Sequence, residues 1–122
     1  MTTILLVDDD DQFRSMLAEV LRRAGYEVQQ ACNGNEATVI YRNHQTDLVL
    51  TDLIMPEKEG LETIREIRHI NPAVRIIAMS GGGRNGFEDY LRVAKVFGAR
   101  LVIDKPFSHS EILGAIRKAL AA

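Results

Sequence analysis

Along the chain, short apolar runs alternate with stretches in which apolar residues recur every three or four positions, and the alternation repeats five times. Residues 4–7, 48–50, 74–79 and 101–103 are nearly unbroken apolar runs, which predicts strands covered on both faces. Residues 26–31 differ. There Tyr26 and Val28 alternate with Glu27 and Gln29, the pattern of a half-exposed edge strand.

The intervening stretches predict helices. Phe13, Met16, Leu17, Val20 and Leu21 fall on one face of a first helix, and Ala37, Ile40, Tyr41 and His44 repeat the spacing more weakly. Leu61, Ile64 and Ile67 or Arg68 mark a third helix, and Phe87, Tyr90, Leu91 and Ala94 a fourth. The fifth opens on Ser108-His109-Ser110-Glu111, a capping box, and continues through Ile112, Leu113, Ile116 and Leu120. Gly25 and Gly98 stand where left-handed caps are wanted, and Pro72 cannot continue the third helix.

The expected fold is therefore α/β: a (βα)5, doubly wound, five-stranded parallel sheet with helices on both faces. With the second strand at an edge, the flavodoxin-like order 2-1-3-4-5 follows. Ligands of such sheets bind beyond the carboxyl ends of the strands where the order reverses, here between strands one and three.

Composition narrows the function. The 122 residues are expected to form a single domain over 1–122 with no output domain. A hydrophobic fraction of 46% against 26% charged is that of an ordered globular chain. The net charge of -2 argues against direct nucleic-acid binding, and the four-residue apolar run at the start is neither signal peptide nor membrane span. One cysteine, Cys32, read as a small buried residue, fits a reducing compartment, hence the cytoplasm. His44, His69 and His109 lack ligand spacing, and Arg65, Arg68 and His69 read as a solvated helix face.

The predicted strand tips carry a short chemical inventory. The first ends in Asp8-Asp9-Asp10-Asp11, the third in Asp52, the fourth in Ser80 and the fifth in Asp104-Lys105-Pro106. Asp10 and Asp11 suit the cap and first turn of the first helix. Taken alone, the acidic run is a helix-capping turn, Lys105 a surface lysine and Ser80 a loop former. Together they converge on one crevice. Asp8, Asp9 and Asp52 would repel one another unless a cation or a proton intervened, and few hard oxygen ligands suit Mg²⁺. A carboxylate nucleophile beside a cation, a hydroxyl and an ammonium describes an aspartyl-phosphate site.

These residues resemble the receiver domains of two-component response regulators. The likeness spans essentially the whole chain and rests on Ile4-Leu5-Leu6-Val7-Asp8-Asp9, on Thr51-Asp52-Leu53-Ile54-Met55-Pro56 followed by Gly60, on Ala78-Met79-Ser80 and on Lys105-Pro106-Phe107. The resemblance implies that Asp52 accepts a phosphoryl group from a histidine kinase. It further implies that Asp9, Asp52 and the backbone carbonyl of Ile54 ligate Mg²⁺ directly, with Asp8 acting through water. Ser80 and Lys105 would bind the phosphoryl group, and a cis bond would precede Pro106. Partners would be a histidine kinase or histidine phosphotransferase and a downstream protein target, with a phosphorelay shuttle as the alternative role. The chain would catalyse only its own phosphorylation and dephosphorylation.

Three positions depart from the family pattern. Glu59 replaces the usual Asp before the glycine, and the step from Ser80 to Lys105 is lengthened around residues 81–86. Val102 stands where an aromatic switch residue is customary. Two other functions compete. Gly81-Gly82-Gly83-Arg84-Asn85-Gly86, with Asp104 downstream, matches a dinucleotide-binding fingerprint, but no second mononucleotide half follows. A phosphatase of the haloacid dehalogenase type wants an acid two residues beyond its nucleophile, where this chain has Ile54.

Overall fold

The structure is a computed structural model that describes residues 1–53, 60–80, 95 and 97–121. Its strands are β1 (Thr3–Val7), β2 (Glu27–Ala31), β3 (Leu48–Asp52), β4 (Ile76–Ser80) and β5 (Leu101–Asp104). The helices described are α1 (Asp11–Arg23), α2 (Gly34–Asn43), α3 (Gly60–Ile70) and α4 (His109–Ala121). All strand pairings are parallel, in the order β2-β1-β3-β4-β5. The doubly wound sheet and its order are as expected. The helix expected around Phe87 to Ala94 lies outside the described residues.

The unbroken apolar runs bury both faces of the sheet. Leu5, Val7, Val49, Ile76 and Ala78 point into one core with Ala37 and Tyr41 of α2 and Ile64 and Ile67 of α3. Ile4, Leu6, Leu48, Leu50, Ile77 and Met79 point the other way, against Leu17 and Leu21 of α1 and Ile112 and Ile116 of α4. Successive strand side chains alternate between faces, so a run with no polar break is what two cores require. β5 is the second edge strand, and its Leu101, Val102 and Ile103 are half-buried rather than enclosed.

Helix ends follow their residues. Asp10 caps α1, accepting from the Phe13 N–H at 3.1 Å, with Asp11 in the first turn. Asn33 caps α2 by accepting from the Glu36 N–H at 2.8 Å. At α4, Glu111 N–H donates to Ser108 Oγ (3.1 Å) while Ser108 N–H donates to Glu111 Oε1 (3.0 Å), the expected capping box. Gly25 and Gly98 have φ of 98° and 115°, the left-handed conformation expected of them. In α3 it is Ile67, not Arg68, that enters the core. None of the described helices is long and apolar enough to cross a membrane.

Three further expectations need correction. Met16 is 47% exposed, because the face of α1 that meets the sheet is carried by Leu17, Ala18 and Leu21. His44 is an exposed C-cap beyond α2 rather than part of its buried face. Cys32 is half-buried, with its Sγ 3.4 Å from Glu36 Oε2. That hydrogen bond to Glu36, followed by desolvation, pushes the thiol above its ordinary pKa.

Candidate functional site at the strand tips

β1 and β3 pair with Val7 opposite Thr51, so the next residues along each, Asp8 and Asp52, emerge side by side. Asp8 is fully buried and Asp52 is 7% exposed, while Asp9 is exposed. One carboxylate oxygen from each of the three lies within 4.8 Å of the others. The sheet thus assembles the predicted acidic trio from two neighbouring strands.

Asp8 is held on every side. Its N–H donates to Ala31 O (3.1 Å), and its carbonyl accepts from Arg14 Nη1 (2.7 Å). Its Oδ1 accepts from the Asp10 N–H at 2.9 Å and its Oδ2 from Lys105 Nζ at 2.7 Å. A buried carboxylate is tolerable only with such partners. Arg14 is anchored in turn by Gln30 Oε1 (3.2 Å) and Asp11 Oδ1 (2.8 Å).

Lys105 reaches in from the far end of β5, just beyond Asp104. Its ammonium stands 3.6 Å from Asp52 Oδ2, so one cation bridges two of the acids and Asp8 is its nearer partner. The Lys105-Pro106 bond is cis, as expected. Ser80 ends β4 and is buried; its carbonyl accepts from the Lys105 N–H at 2.9 Å, tying the two tips together. Met79 stands opposite Asp52 in the register, which sets Ser80 one step beyond it on the neighbouring strand.

The family model for the response regulator receiver domain matches residues 4–117. The chain belongs to the response regulator receiver domains. It is 38% identical over 116 residues to the chemotaxis protein CheY of Thermotoga maritima, covering 94% of each. It is 36% identical to the sporulation initiation phosphotransferase F of Bacillus subtilis, covering 96% of this chain and 92% of that one. Among solved structures, a response regulator protein from Burkholderia pseudomallei with a phosphorylated aspartic acid, calcium ion and citrate superposes with a TM-score of 0.86 at 27% identity. That match covers 99% of this chain and 69% of the other. The receiver is a phosphoacceptor signalling module of two-component systems, a family that works with Mg²⁺, histidine kinases and downstream targets.

Of the residues expected at the receiver's site, Asp8, Asp9, Asp52 and Lys105 come together, and Ser80 is buried beside them. Ile54 and the glycine-rich loop of Gly81 to Gly86 lie outside the described residues. Sequence reasoning missed two supports. A Cβ on Gly60 would overlap the Asp52 carbonyl oxygen and Leu53 Cα, so only glycine lets α3 start this close to β3. The ring of Phe13, assigned only to a core-facing stripe, has its centroid 4.3 Å from Lys105 Nζ. The signal was present: Phe13 is the third residue of a helix that starts directly after a strand tip.

Proposed function

We propose that Asp52 is the phosphoacceptor. An Asp52 Oδ attacks the phosphorus of a kinase phosphohistidine, the P–N bond breaks as the P–O bond forms, and the departing imidazole nitrogen takes up a proton from water. The observation that carries the reading is the single ammonium of Lys105 spanning Asp8 and Asp52, with an Asp9 oxygen within the same 4.8 Å cluster. Among the described residues, three acids and one bridging ammonium leave the cluster net negative, which suits a hard divalent cation. Asp9 and Asp52, with the Ile54 carbonyl, would hold Mg²⁺ directly. Because both Asp8 oxygens already accept hydrogen bonds, Asp8 is better suited to act through water. When bound, Mg²⁺ supplies neutralisation of charge on the phosphoryl oxygens.

Lys105 and Ser80 then receive those oxygens as a cation and a hydroxyl donor. Phosphorylation adds nearly two negative charges, giving both residues partners that exist only in that state. The tips of β4 and β5 are drawn toward Asp52, and the adjoining face with α4 changes what it binds. Switching from 1:99 to 99:1 requires about 5.5 kcal/mol of differential interaction, a sum that a few charge-assisted hydrogen bonds approach. Val102 pairs with Ala78 on β4 where the family customarily has an aromatic, so coupling runs through the strand tips rather than a ring flip. The domain catalyses only its own phosphorylation and slow dephosphorylation.

A shuttle role is the second reading, supported by the likeness to a protein named a phosphotransferase. Intact mass after acetyl phosphate and Mg²⁺ tests the first. Wild type is expected to gain one phosphoryl group and Asp52→Asn none; equal labelling of both would reject the assignment. Transfer of the label to a histidine phosphotransferase tests the second.

A further inference from the structure

Among the described residues, the Lys105 ammonium has three close neighbours in the pocket, and one of them is not polar. Beside Asp8 at 2.7 Å and Asp52 at 3.6 Å, the ammonium lies over the face of Phe13, 4.3 Å from its centroid. The ring is itself fixed at both ends. Its backbone N–H is capped by Asp10 Oδ1, so the acids that open α1 set the position of the residue three places in. Its other constraint is Phe107, two residues past Lys105, which meets it edge to face at 5.9 Å and 76°. Packing alone would ask only for an apolar side chain here. An aromatic face offers more, because it attracts the charge as a whole and not one chosen N–H.

We propose that Phe13 is a positioning residue for phosphoryl transfer, whose ring holds the Lys105 ammonium within reach of Asp52 before the phosphoryl group arrives. The proposal rests on the assignment of Asp52 as acceptor and Lys105 as its phosphoryl-binding cation. A lysine ordered only during the reaction would add its lost freedom to the barrier; one already docked on a ring does not. The contact also leaves the N–H groups able to turn. The ammonium therefore redirects a donor from Asp8 to an arriving oxygen without leaving its seat.

The test uses the full chain with Mg²⁺ and saturating acetyl phosphate, following labelling by intact mass. Phe13→Leu is expected to slow the labelling rate constant about three- to tenfold, while Phe13→Tyr stays within about twofold of wild type. In proton NMR, ring-current shielding should move the Lys105 ε-methylene signals upfield in wild type and Phe13→Tyr, and not in Phe13→Leu. Phe13→Leu labelling at the wild-type rate, or Phe13→Tyr as slow as Phe13→Leu, overturns the proposal. So does an unshielded Lys105 in wild type, which decides the matter even if a variant fails to fold. Asp52→Asn separates the two levels. Its labelling at the wild-type rate would remove the acceptor assignment and this proposal with it, whereas an unlabelled Asp52→Asn beside a normal Phe13→Leu would remove the proposal alone.

Discussion

An aspartate stands at either end of β3, and the two occupy opposite surroundings. Asp47, just before the strand, is exposed, and its Oδ2 accepts from the Thr3 N–H at 2.8 Å and Thr3 Oγ1 at 3.2 Å. In return the Asp47 N–H donates to Thr3 O at 2.9 Å, joining the starts of β1 and β3. Asp52, the strand's last residue, meets the other end of the same neighbour and finds Asp8 and Asp9 there. At the amino ends of parallel strands, N–H groups lack ladder partners and a carboxylate satisfies them. At the carboxyl ends, the carboxylates of Asp8, Asp9 and Asp52 gather instead, with the Lys105 ammonium between Asp8 and Asp52. The difference separates a turn acid from a reactive one by position in the sheet, with no change of residue type.

The largest effect is expected where the Lys105 ammonium bridges the acidic end. Lys105→Met keeps most of the stem but leaves the buried Asp8 carboxylate without its ammonium. Breaking such a pair costs about 3 kcal/mol. Urea unfolding in the absence of divalent ions should show that loss, and adding Asp8→Asn to the same chain should recover much of it. Unchanged stability in Lys105→Met would mean that Asp8 is held by its backbone donors alone. A smaller pair of effects sharpens the contrast through its sign. Asp9→Ala removes one of three like charges and should stabilise by about 0.5–1 kcal/mol without Mg²⁺. Asp47→Ala removes an acceptor from the Thr3 N–H and hydroxyl and should destabilise by about 1 kcal/mol. Shifts of the same sign in thermal unfolding would erase the distinction between the two ends.

How far the sequence anticipated this arrangement differs with the kind of interaction. The sheet order and the pairing of Asp8 with Asp52 were legible, because the polar alternation of residues 26–31 marks an edge strand and so sets the tips of strands one and three side by side. Asp10 and Asp11 were legible as cap and first-turn acid because those roles are local. The ends of β3 and β4 at Asp52 and Ser80 were legible too, because each is the polar residue that closes an apolar run. The partner of Lys105 was the surprise. Its resemblance-based role names phosphoryl oxygens, yet without them the ammonium settles on Asp8, a choice made across 97 residues of chain separation. Periodicity likewise placed Met16 and Phe13 on one stripe. Only the three-dimensional crossing of α1 over the sheet exposes the former and seats the latter over a lysine.

Glu111 offers the mildest test of the same contrast, because it lies at the acidic end of the sheet in sequence yet behaves like Asp47. It is exposed, and the hydrogen bond from the Ser108 backbone N–H, followed by one from the Ser108 side chain, holds its carboxyl below the usual glutamate value. A depressed folded-state value means that the proton binds more readily to the unfolded chain. The contribution of this group is therefore present above the unfolded glutamate value and is lost as pH falls through the folded one. Carboxyl-carbon NMR titration should find the Glu111 midpoint below that of an unpaired glutamate. Ser108→Ala should return it only part of the way, since the backbone donor, the larger cause, survives the substitution. A full return would place the hydroxyl first, and no displacement in wild type would mean that the capping box is too open to water to act on its acid.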